Sequence, residues 1–529
     1  MIGTIELVLG LLLAIAALAV LARKLQIPYP ILFVIGGLLL SFLPGHHTLH
    51  LDPDLIFVLF LPPLLYPAAF SSSWRDFHAN LGPILRLAIG LVLFTTVAVA
   101  WFVHHFFGLP LAAGFVLGAI ISPPDAIAAT AITQSLRVPR QIITILDGES
   151  LVNDATSFTT YRFAVAAVLT GAFSLAGASL DFVGTVLGGI AVGLAVGWVI
   201  TRVQRRLDDP PVQTTLSLLT PYVTYLVAER VHASGVLAVV VTGLYVGWRS
   251  PEVLTSRMRL LALSVWSMIV FILNGFIFIL IGLQLPEVVH SLSGRSLGEA
   301  IGLSALVVAL LIVVRIVWFF SSTSIARMLK SDSRCRTPRP NWRHLVLMSW
   351  AGMRGVDSLA AALALPFVTQ NGAPFPERSL IVFITFSVIF ATLVLQGLSL
   401  SPLIRWLKIA DDRSLEEEER QARLKANEAA LARLAQIAKS RPVDEGVLSR
   451  LRAEYEDRIE QLTEHQDEED HKKLSLYSAE YEKLSKEMLG EERKTILHLR
   501  NERVINDNVL RRIQRDLDLA EARLERNGD

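Results

Sequence analysis

The sequence predicts an all-α polytopic membrane protein of about 13 transmembrane helices, followed by a charged helical tail. The 529 residues are 52% hydrophobic, and the mean hydropathy of +0.49 is far above that of soluble globular proteins. Charge divides the chain, because residues 1–410 carry 26 Lys and Arg against 18 Asp and Glu, whereas residues 411–529 carry 23 against 30. We therefore predict a basic transmembrane domain over 1–410 and an acidic cytoplasmic tail over 411–529.

Thirteen apolar runs of spanning length make up the predicted membrane domain. Most Lys and Arg fall in alternate breaks between the runs, which predicts an outside N-terminus and a cytoplasmic C-terminus in the plasma (inner) membrane. Arg23 and Lys24 follow the first run instead of preceding it, so that run is interpreted as a spanning helix and not as a removed signal peptide. The predicted spans are 4–22, 29–44, 54–70, 82–107, 110–134, 142–171, 181–203, 213–230, 234–248, 261–286, 298–325, 343–369 and 379–407.

The tail has the composition of long solvated helices. Leu424, Leu431, Leu434 and Ile437 recur at roughly helical spacing among charged residues, and Pro442 ends that run. A solvated cytoplasmic tail is the favoured interpretation, and coiled-coil, regulatory or dimerising roles remain alternatives.

The fifth apolar run contains a predicted helix break at Ser122-Pro123-Pro124-Asp125. Two consecutive prolines remove two backbone donors and clash with the preceding turn, so a continuous helix is not expected. Irregular backbone at membrane depth is tolerated where it is packed in protein or lines a cavity. Asp125 would begin the second half-helix, where the helix dipole favours an anion. The alternative is a simple proline kink with a capping aspartate.

The twelfth run has a matching irregularity, in which Gly352 and Gly355 flank Arg354. Transporters built from inverted repeats place interrupted helices at corresponding positions of their two halves, around a site near the middle of the membrane. Spans 1–6 and 8–13 would be two such repeats, because each interruption is then fifth in its half. We therefore expect the two interrupted helices to cross at mid-membrane.

Acidic residues cluster in the sixth run, where a buried charge is costly and indicates function. On a helix Ser150 and Asp154 share one face, and Glu149 and Asn153 share the adjacent one. Carboxylate, hydroxyl and carbonyl oxygens suit a hard monovalent cation. Asp154 is the best candidate for a group that holds either a cation or a proton, and Glu149 is the expected partner of the buried Arg354.

Two other arginines and the single cysteine have simpler interpretations. Arg162 and Arg315 lie within apolar runs, and each is expected to pair with a buried carboxylate or carbonyl, or to reach the interface. Cys335 alone can form no internal disulfide. The run Gly148-Glu149-Ser150 is not a nucleophile elbow, since position 152 is valine in a spanning helix. No enzyme activity, cofactor or nucleic-acid partner is predicted.

Four motifs occur in order along the apolar part of the chain: Leu61-Pro-Pro-Leu-Leu-Tyr66, Ser122-Pro-Pro-Asp-Ala-Ile-Ala, Gly148-Glu-Ser-Leu-Val-Asn-Asp154 and Gly352-Met-Arg-Gly355. Over about residues 5–408 they resemble the sodium/proton exchanger family, the electroneutral branch of the monovalent cation:proton antiporters, and most closely its bacterial members with a charged cytoplasmic tail. The resemblance implies a thirteen-helix homodimer in which a core domain moves against a dimerisation domain. It also implies that Asp154 is the shared Na⁺ and proton site, that Asp125 and Ser150 complete the Na⁺ coordination, and that Glu149 and Arg354 form a structural ion pair.

The chain departs from the family pattern at several positions. Tyr66-Pro67 stands where members often carry an acid, and Pro124 stands where many have threonine. Asp357 replaces a residue that is usually apolar or small, and it could compete with Glu149 for the arginine three residues before it. Asp147 is also unusual and has no predicted partner. We expect Asp357 and Asp147 beside the cation site, and an Asp357 that faced the site would bear on stoichiometry and ion preference.

The predicted function is exchange of Na⁺ for H⁺ by alternating access, in support of intracellular pH and sodium homeostasis. Asn153 supplies no second titrating group, which favours electroneutral one-for-one exchange. The alternatives are K⁺/H⁺ or unselective monovalent cation/H⁺ antiport and, more remotely, a transport-inactive membrane sensor that signals through the tail.

Overall fold

The computed structural model describes residues 2–25, 28–42, 53–125, 136, 138–171, 175–290, 292, 296–329, 341–369, 372–409, 414–463, 468–502, 504 and 507–528. In the first part of the chain it forms α1 (Ile2–Leu25), α2 (Tyr29–Leu40), α3 (Pro53–Ser71), α4 (Trp74–Ala79), α5 (Leu81–Leu85), a π-helical turn (Arg86–Leu91), α6 (Val92–Phe107), α7 (Leu111–Ile121) and α8 (Arg140–Thr170). The membrane part continues with α9 (Leu175–Gln204), α10 (Pro210–Arg230), α11 (Gly235–Val253), α12 (Ser256–His290), α13 (Leu297–Leu329), α14 (Trp342–Trp350), α15 (Val356–Leu363) and α16 (Arg378–Leu407).

Each predicted apolar run coincides with one helix or with a group of consecutive helices. Six helices of the described residues are long and apolar enough to cross a membrane, and shorter apolar helices lie between them. The number of spans, thirteen, stays a prediction, as do the two inverted repeats. The six are Val8–Leu25, Leu81–Phe107, Leu180–Gln204, Ser256–His290, Leu297–Ser322 and Arg378–Leu407.

Two of the predicted runs are interrupted, and the local sequence explains both interruptions. Helix α7 ends at Ile121 directly before Ser122 and the two prolines, and the backbone through Asp125 is not helical. The continuation of this run over 126–135 lies outside the described residues. The chain is likewise non-helical from Ala351 to Gly355, between α14 and α15. The two non-helical stretches meet, since the Asp125 amide donates a hydrogen bond of 2.8 Å to the Met353 carbonyl.

Helix α8 lies at the junction of three buried apolar clusters, which fixes its position in the membrane part. Leu146 packs in a cluster with residues of α1, α2, α12, α14 and α16. Leu151 packs in a second with α3, α10 and α11, and Tyr161 in a third with α6, α7, α13 and α16. Since a close-packed interior resists displacement, the polar side chains of α8 are held at a defined place.

Glycines allow the closest helix contacts. A methyl group on Gly37 of α2 would overlap the backbone of Ile279 in α12, and one on Gly282 would overlap the backbone of α2. A methyl group on Gly118 of α7 would likewise overlap the Thr96 backbone of α6. Membrane helices without a hydrophobic driving force between them commonly associate through such small residues.

The chain divides into two compact units, Met1–Asp412 and Arg413–Asp529. The second unit contains α17 (Ser414–Ser440), α18 (Glu445–Thr463), α19 (Glu468–Asn501) and α20 (Asp507–Gly528). Helices α17 and α18 pack together, as do α19 and α20. Ile496, Leu510 and Leu517 form a small apolar core between the last two helices.

Candidate functional site

The predicted site residues of α8 lie against the end of α7. Asp154 is 2% exposed and Asn153 is completely buried. The Asn153 amide nitrogen donates a hydrogen bond of 2.8 Å to the Pro124 carbonyl, one residue before Asp125. One turn further along α8, the Ser157 hydroxyl donates a bond of 2.7 Å to the Ala119 carbonyl. These two bonds join the acidic stretch of α8 to the first interrupted run.

Asp125 lies where the two interrupted runs cross. Its backbone is bonded to Met353, and its side chain lies directly against Gly355. A methyl group on Gly355 would come within 2.5 Å of the Asp125 Cβ and Cγ atoms. Only glycine at position 355 therefore lets the carboxylate occupy this place, which gives the second glycine of the Gly-Met-Arg-Gly motif a physical reason.

Three carboxylates share the site. Asp154 interacts electrostatically with both Asp357 and Asp125, and Asp357 interacts with Asp125. Asp357 lies in the first turn of α15, where the helix dipole stabilises an anion. The sequence placed it beside the site, and the structure brings it near enough to the other two acids to interact with both electrostatically.

Arg354 is bound at the end of the first interrupted helix. Its guanidinium donates a short hydrogen bond to the carbonyl of Ser122, the C-cap of α7. Its backbone amide donates to the Thr392 hydroxyl of α16 at 3.1 Å. The side chain is 2% exposed. A cation beside the last carbonyls of a helix is favoured by the helix dipole, so Arg354 stabilises the broken end of α7.

The sequence predicts that Glu149 forms an ion pair with Arg354, but the structure gives Glu149 a different partner. Glu149 instead pairs with Arg315 of α13 through two hydrogen bonds of 2.7 and 2.9 Å. Arg315 also donates from Nε to the Met348 carbonyl at 3.3 Å. The correction has a geometric cause: the Arg315 fork faces both carboxylate oxygens of Glu149, while the Arg354 side chain is directed at the Ser122 carbonyl.

Gly352 belongs to the same arrangement. A methyl group there would lie 2.6 Å from Cδ and 2.7 Å from Nε of Arg315. The absence of a side chain at Gly352 therefore leaves room for the arginine beside the second break, although sequence analysis had assigned this glycine to the helix break alone.

The remaining predicted residues lie close by. Ser150 is partly buried one turn before Asp154 on α8. Asp147 is also partly buried, and it has an interaction partner, which the sequence analysis could not name. Ser122, Pro123 and Pro124 are buried in the non-helical stretch, and the Tyr29 hydroxyl of α2 lies near enough to Asp125 to feel its charge.

A crevice too narrow to admit a water molecule lies between the first break and α8, and its lining residues are Pro124, Asp125, Leu146, Glu149, Arg315 and Ala351. Among the described residues no three Asp, Glu, His or Cys side chains converge closely enough to hold a metal ion. A cation at the three acids would therefore use few carboxylate ligands at a time and would take its other oxygens from carbonyls, hydroxyls and the Asn153 amide. Such a weak, mixed oxygen set suits a transported monovalent ion.

Sequence reasoning missed two contributors, Arg315 as the partner of Glu149 and Thr392 as the acceptor for Arg354. A signal for Arg315 existed, because an arginine in a long apolar helix needs a buried partner. Thr392 gave none, since a threonine in a spanning helix ordinarily bonds its own helix backbone, as Thr392 also does to the Val388 carbonyl at 2.8 Å.

These features define a multi-pass membrane transporter in which two interrupted helices cross beside a buried acid. A family profile described as "Sodium/hydrogen exchanger, transmembrane" matches residues 10–406. The chain belongs to the sodium/hydrogen exchanger family, whose members are cation/proton antiporters.

Similar proteins support this placement. The chain is 35% identical to an "Uncharacterized Na(+)/H(+) exchanger" of Mycobacterium tuberculosis over 99% of this chain and 98% of that protein. It is 36% identical to the "Sodium, potassium, lithium and rubidium/H(+) antiporter" of Bacillus pumilus, over 75% of this chain and 60% of that protein. The solved structure of the sodium proton antiporter MjNhaP1 from Methanocaldococcus jannaschii matches with a TM-score of 0.60 at 18% identity, over 76% of this chain and 99% of that one, which supports the fold.

Proposed function

We propose that this protein is a secondary active antiporter that exchanges Na⁺ for H⁺ across the plasma membrane by alternating access, with Asp154 as the exchanging group. The observation that carries the proposal is the placement of Asp154, which is 2% exposed on α8 and faces the crossing of two interrupted helices. A buried carboxylate there is costly unless a counter-charge or a proton compensates it.

Competition at one carboxylate couples the two ions. Protonation removes the charge that attracts the cation, and a bound cation favours the ionised carboxylate, so one site cannot hold both ions tightly. Asp125 and Ser150 supply further Na⁺ ligands, and so does the Asn153 side-chain oxygen, which has no hydrogen-bond partner in the part of the chain that the structure describes. Exposure of this site to each side in turn then produces exchange without ATP.

The finer features of the proposal follow from the resemblance and from charge. Exchange is electroneutral and one-for-one if Asp154 alone carries one Na⁺ in one direction and one proton in the other in each cycle. The N-terminus lies outside and the C-terminus lies in the cytoplasm, as the loop arginines indicate. The protein is a homodimer that serves intracellular pH and sodium homeostasis.

A second candidate is antiport with broader cation selectivity. The Bacillus pumilus relative is named for sodium, potassium, lithium and rubidium, and oxygen ligands of this kind also accept K⁺. The remote alternative, a transport-inactive sensor, has less support because Asp125, Asp154 and Arg354 are all present and clustered at one place.

The test is a flux assay on purified protein in liposomes with a trapped pH dye. Addition of Na⁺, Li⁺ or K⁺ to acid-loaded vesicles should drive proton efflux, and the order of the three ions separates the first two candidates. Proton efflux that is unchanged when a K⁺ diffusion potential is imposed would support electroneutrality.

Asp154→Asn is the decisive variant, because it keeps the shape of the side chain and removes its charge. The matched control is Asp181→Asn, which makes the same change at an exposed position of α9. Loss of flux in the first variant and wild-type flux in the second support the assignment. A folded Asp154→Asn protein that still exchanges cations for protons would overturn the assignment. A wild-type protein that transports none of the three ions would make the transport-inactive sensor the remaining candidate.

A further inference from the structure

Asp357 places an extra negative charge at the proposed cation site, beside Asp125 and Asp154. It lies two residues after Gly355, the glycine that packs against Asp125, and its carboxylate interacts with both Asp125 and Asp154.

Two buried arginines lie beside the site. Arg315 is paired with both oxygens of Glu149, and the Arg354 guanidinium donates to the neutral carbonyl of Ser122 at the end of α7. Because Glu149 compensates Arg315, the three carboxylates and Arg354 together carry a formal charge of about −2, where a site with only Asp125 and Asp154 would carry about −1.

Buried oxygens beside these acids also lack partners. The Asn153 Oδ1 atom has none among the described residues, and the Asn153 amide is held at the site by its nitrogen, which bonds the Pro124 carbonyl. The Ser358 hydroxyl, next to Asp357 and 1% exposed, has none there either. Buried polar atoms are nearly always satisfied by protein, ordered water or a bound ion, so these oxygens are available as ligands to a cation.

We propose that Asp357 is a further cation-binding residue that raises the affinity of the site for small alkali cations and sets its preference for Li⁺ and Na⁺ over K⁺. The proposal rests on the exchange function proposed above. An added carboxylate strengthens the field at the cation, and its energy is larger for the ion that approaches the oxygens more closely. Since the acids do not converge in the described conformation, Asp357 acts on the ion across a few ångströms or through a small movement of α15.

Asp357→Asn and Asp357→Ala test this in the liposome assay. At an effective dielectric constant of about 20, removal of one charge about 4 to 6 Å from the cation should raise the apparent KM for Na⁺ and Li⁺ roughly 100- to 1,000-fold. The apparent KM for K⁺ should rise less, so the ratio of the K⁺ to the Na⁺ constant falls. Asp357→Glu, which restores the charge, should recover most of the Na⁺ affinity, and Asp181→Asn should leave every constant unchanged.

A second measurement distinguishes a loss of cation binding from a failure of the variant to fold or to insert into liposomes. Na⁺-dependent thermal stabilisation of the detergent-purified protein reports binding without transport, and its midpoint should shift with the KM. Wild-type KM values and wild-type selectivity in Asp357→Asn, while Asp154→Asn is inactive, would overturn the role of Asp357 and leave the exchange function standing. A wild-type protein without cation flux would instead overturn both.

Discussion

The Glu149 carboxylate and the Arg315 guanidinium form a bidentate ion pair, with N–O distances of 2.7 and 2.9 Å and both side chains no more than 3% exposed. The pair joins the site helix α8 to α13, and Arg315 continues the connection to the Met348 carbonyl of α14. Arg354 is near enough to interact electrostatically with both members of the pair, but Arg315 makes the two hydrogen bonds to the Glu149 carboxylate. The pair therefore holds the helix that carries Asp154 against the second interrupted run.

Removal of one member of this pair should destabilise the protein strongly. Glu149→Gln and Arg315→Gln each leave a buried charge without its partner, which costs about 3–5 kcal/mol. The double variant should lose less than the sum of the two, because neither charge remains. Thermal unfolding of the purified proteins in detergent measures this, and the coupling between Glu149→Gln and Arg354→Gln should be clearly smaller. Equal coupling to both arginines would contradict the observed pairing.

The sequence predicted the interruptions and the acids because these features are local. Two prolines or two glycines within an apolar run disturb a helix wherever it packs, and a carboxylate such as Asp154 at membrane depth is costly in any fold. The family, and with it the cation/proton antiport, was predicted from four motifs, and the match over residues 10–406 confirms it.

The partners of the charged residues could not be predicted, since they depend on how distant helices are rotated. The sequence offers two arginines in apolar runs as possible partners of Glu149, and nothing in the spacing distinguishes Arg315 from Arg354. Asp357 is the second residue of α15, which begins after five non-helical residues, so the helical period that assigned a face to Asp154 does not extend to it. The nearness of Asp357 to the other acids is therefore information that only the fold provides.

Gly355→Ala should lower the Na⁺ affinity of the cation site, although it adds only one methyl group. The added methyl group overlaps the Asp125 side chain, which must move away from the crossing, and such overpacking typically costs about 1–3 kcal/mol. We expect a loss of apparent Na⁺ affinity in the liposome assay together with a lower melting temperature. The matched control is Gly397→Ala on α16, where the nearest side-chain atom, Met353 Sδ, would be 3.6 Å away. A Gly355→Ala protein with wild-type affinity would show that Asp125 need not lie against this glycine.

Thr392→Val should weaken the second break without touching a carboxylate. The change preserves shape but removes the hydroxyl that accepts from the Arg354 backbone amide at 3.1 Å. A buried donor left without an acceptor costs about 1–3 kcal/mol. Unfolding in detergent should show this loss, and Thr392→Ser, which keeps the hydroxyl, should show little of it. Identical stability of the valine and serine variants would mean that the amide finds another acceptor.

Removal of the tail should leave cation exchange in place. Every residue assigned to the site belongs to the unit Met1–Asp412, whereas the tail forms a separate compact unit with its own small core. A chain that ends after Ile409 keeps α16 and the apolar contacts of Ile409 with the membrane core. Because separate compact units generally fold independently, its apparent KM for Na⁺ should stay within about threefold of that of the full chain.

The liposome assay measures this prediction at matched protein density, with the Asp154→Asn full chain as the inactive reference. An unchanged KM with an altered pH dependence of the rate would assign the tail a regulatory role, and cross-linking or light scattering of both forms would show whether the tail also contributes to dimerisation. Loss of exchange from a truncated protein that is folded by thermal unfolding would contradict the prediction. In that case residues 411–529 would be part of the transport cycle and not an appendage to it.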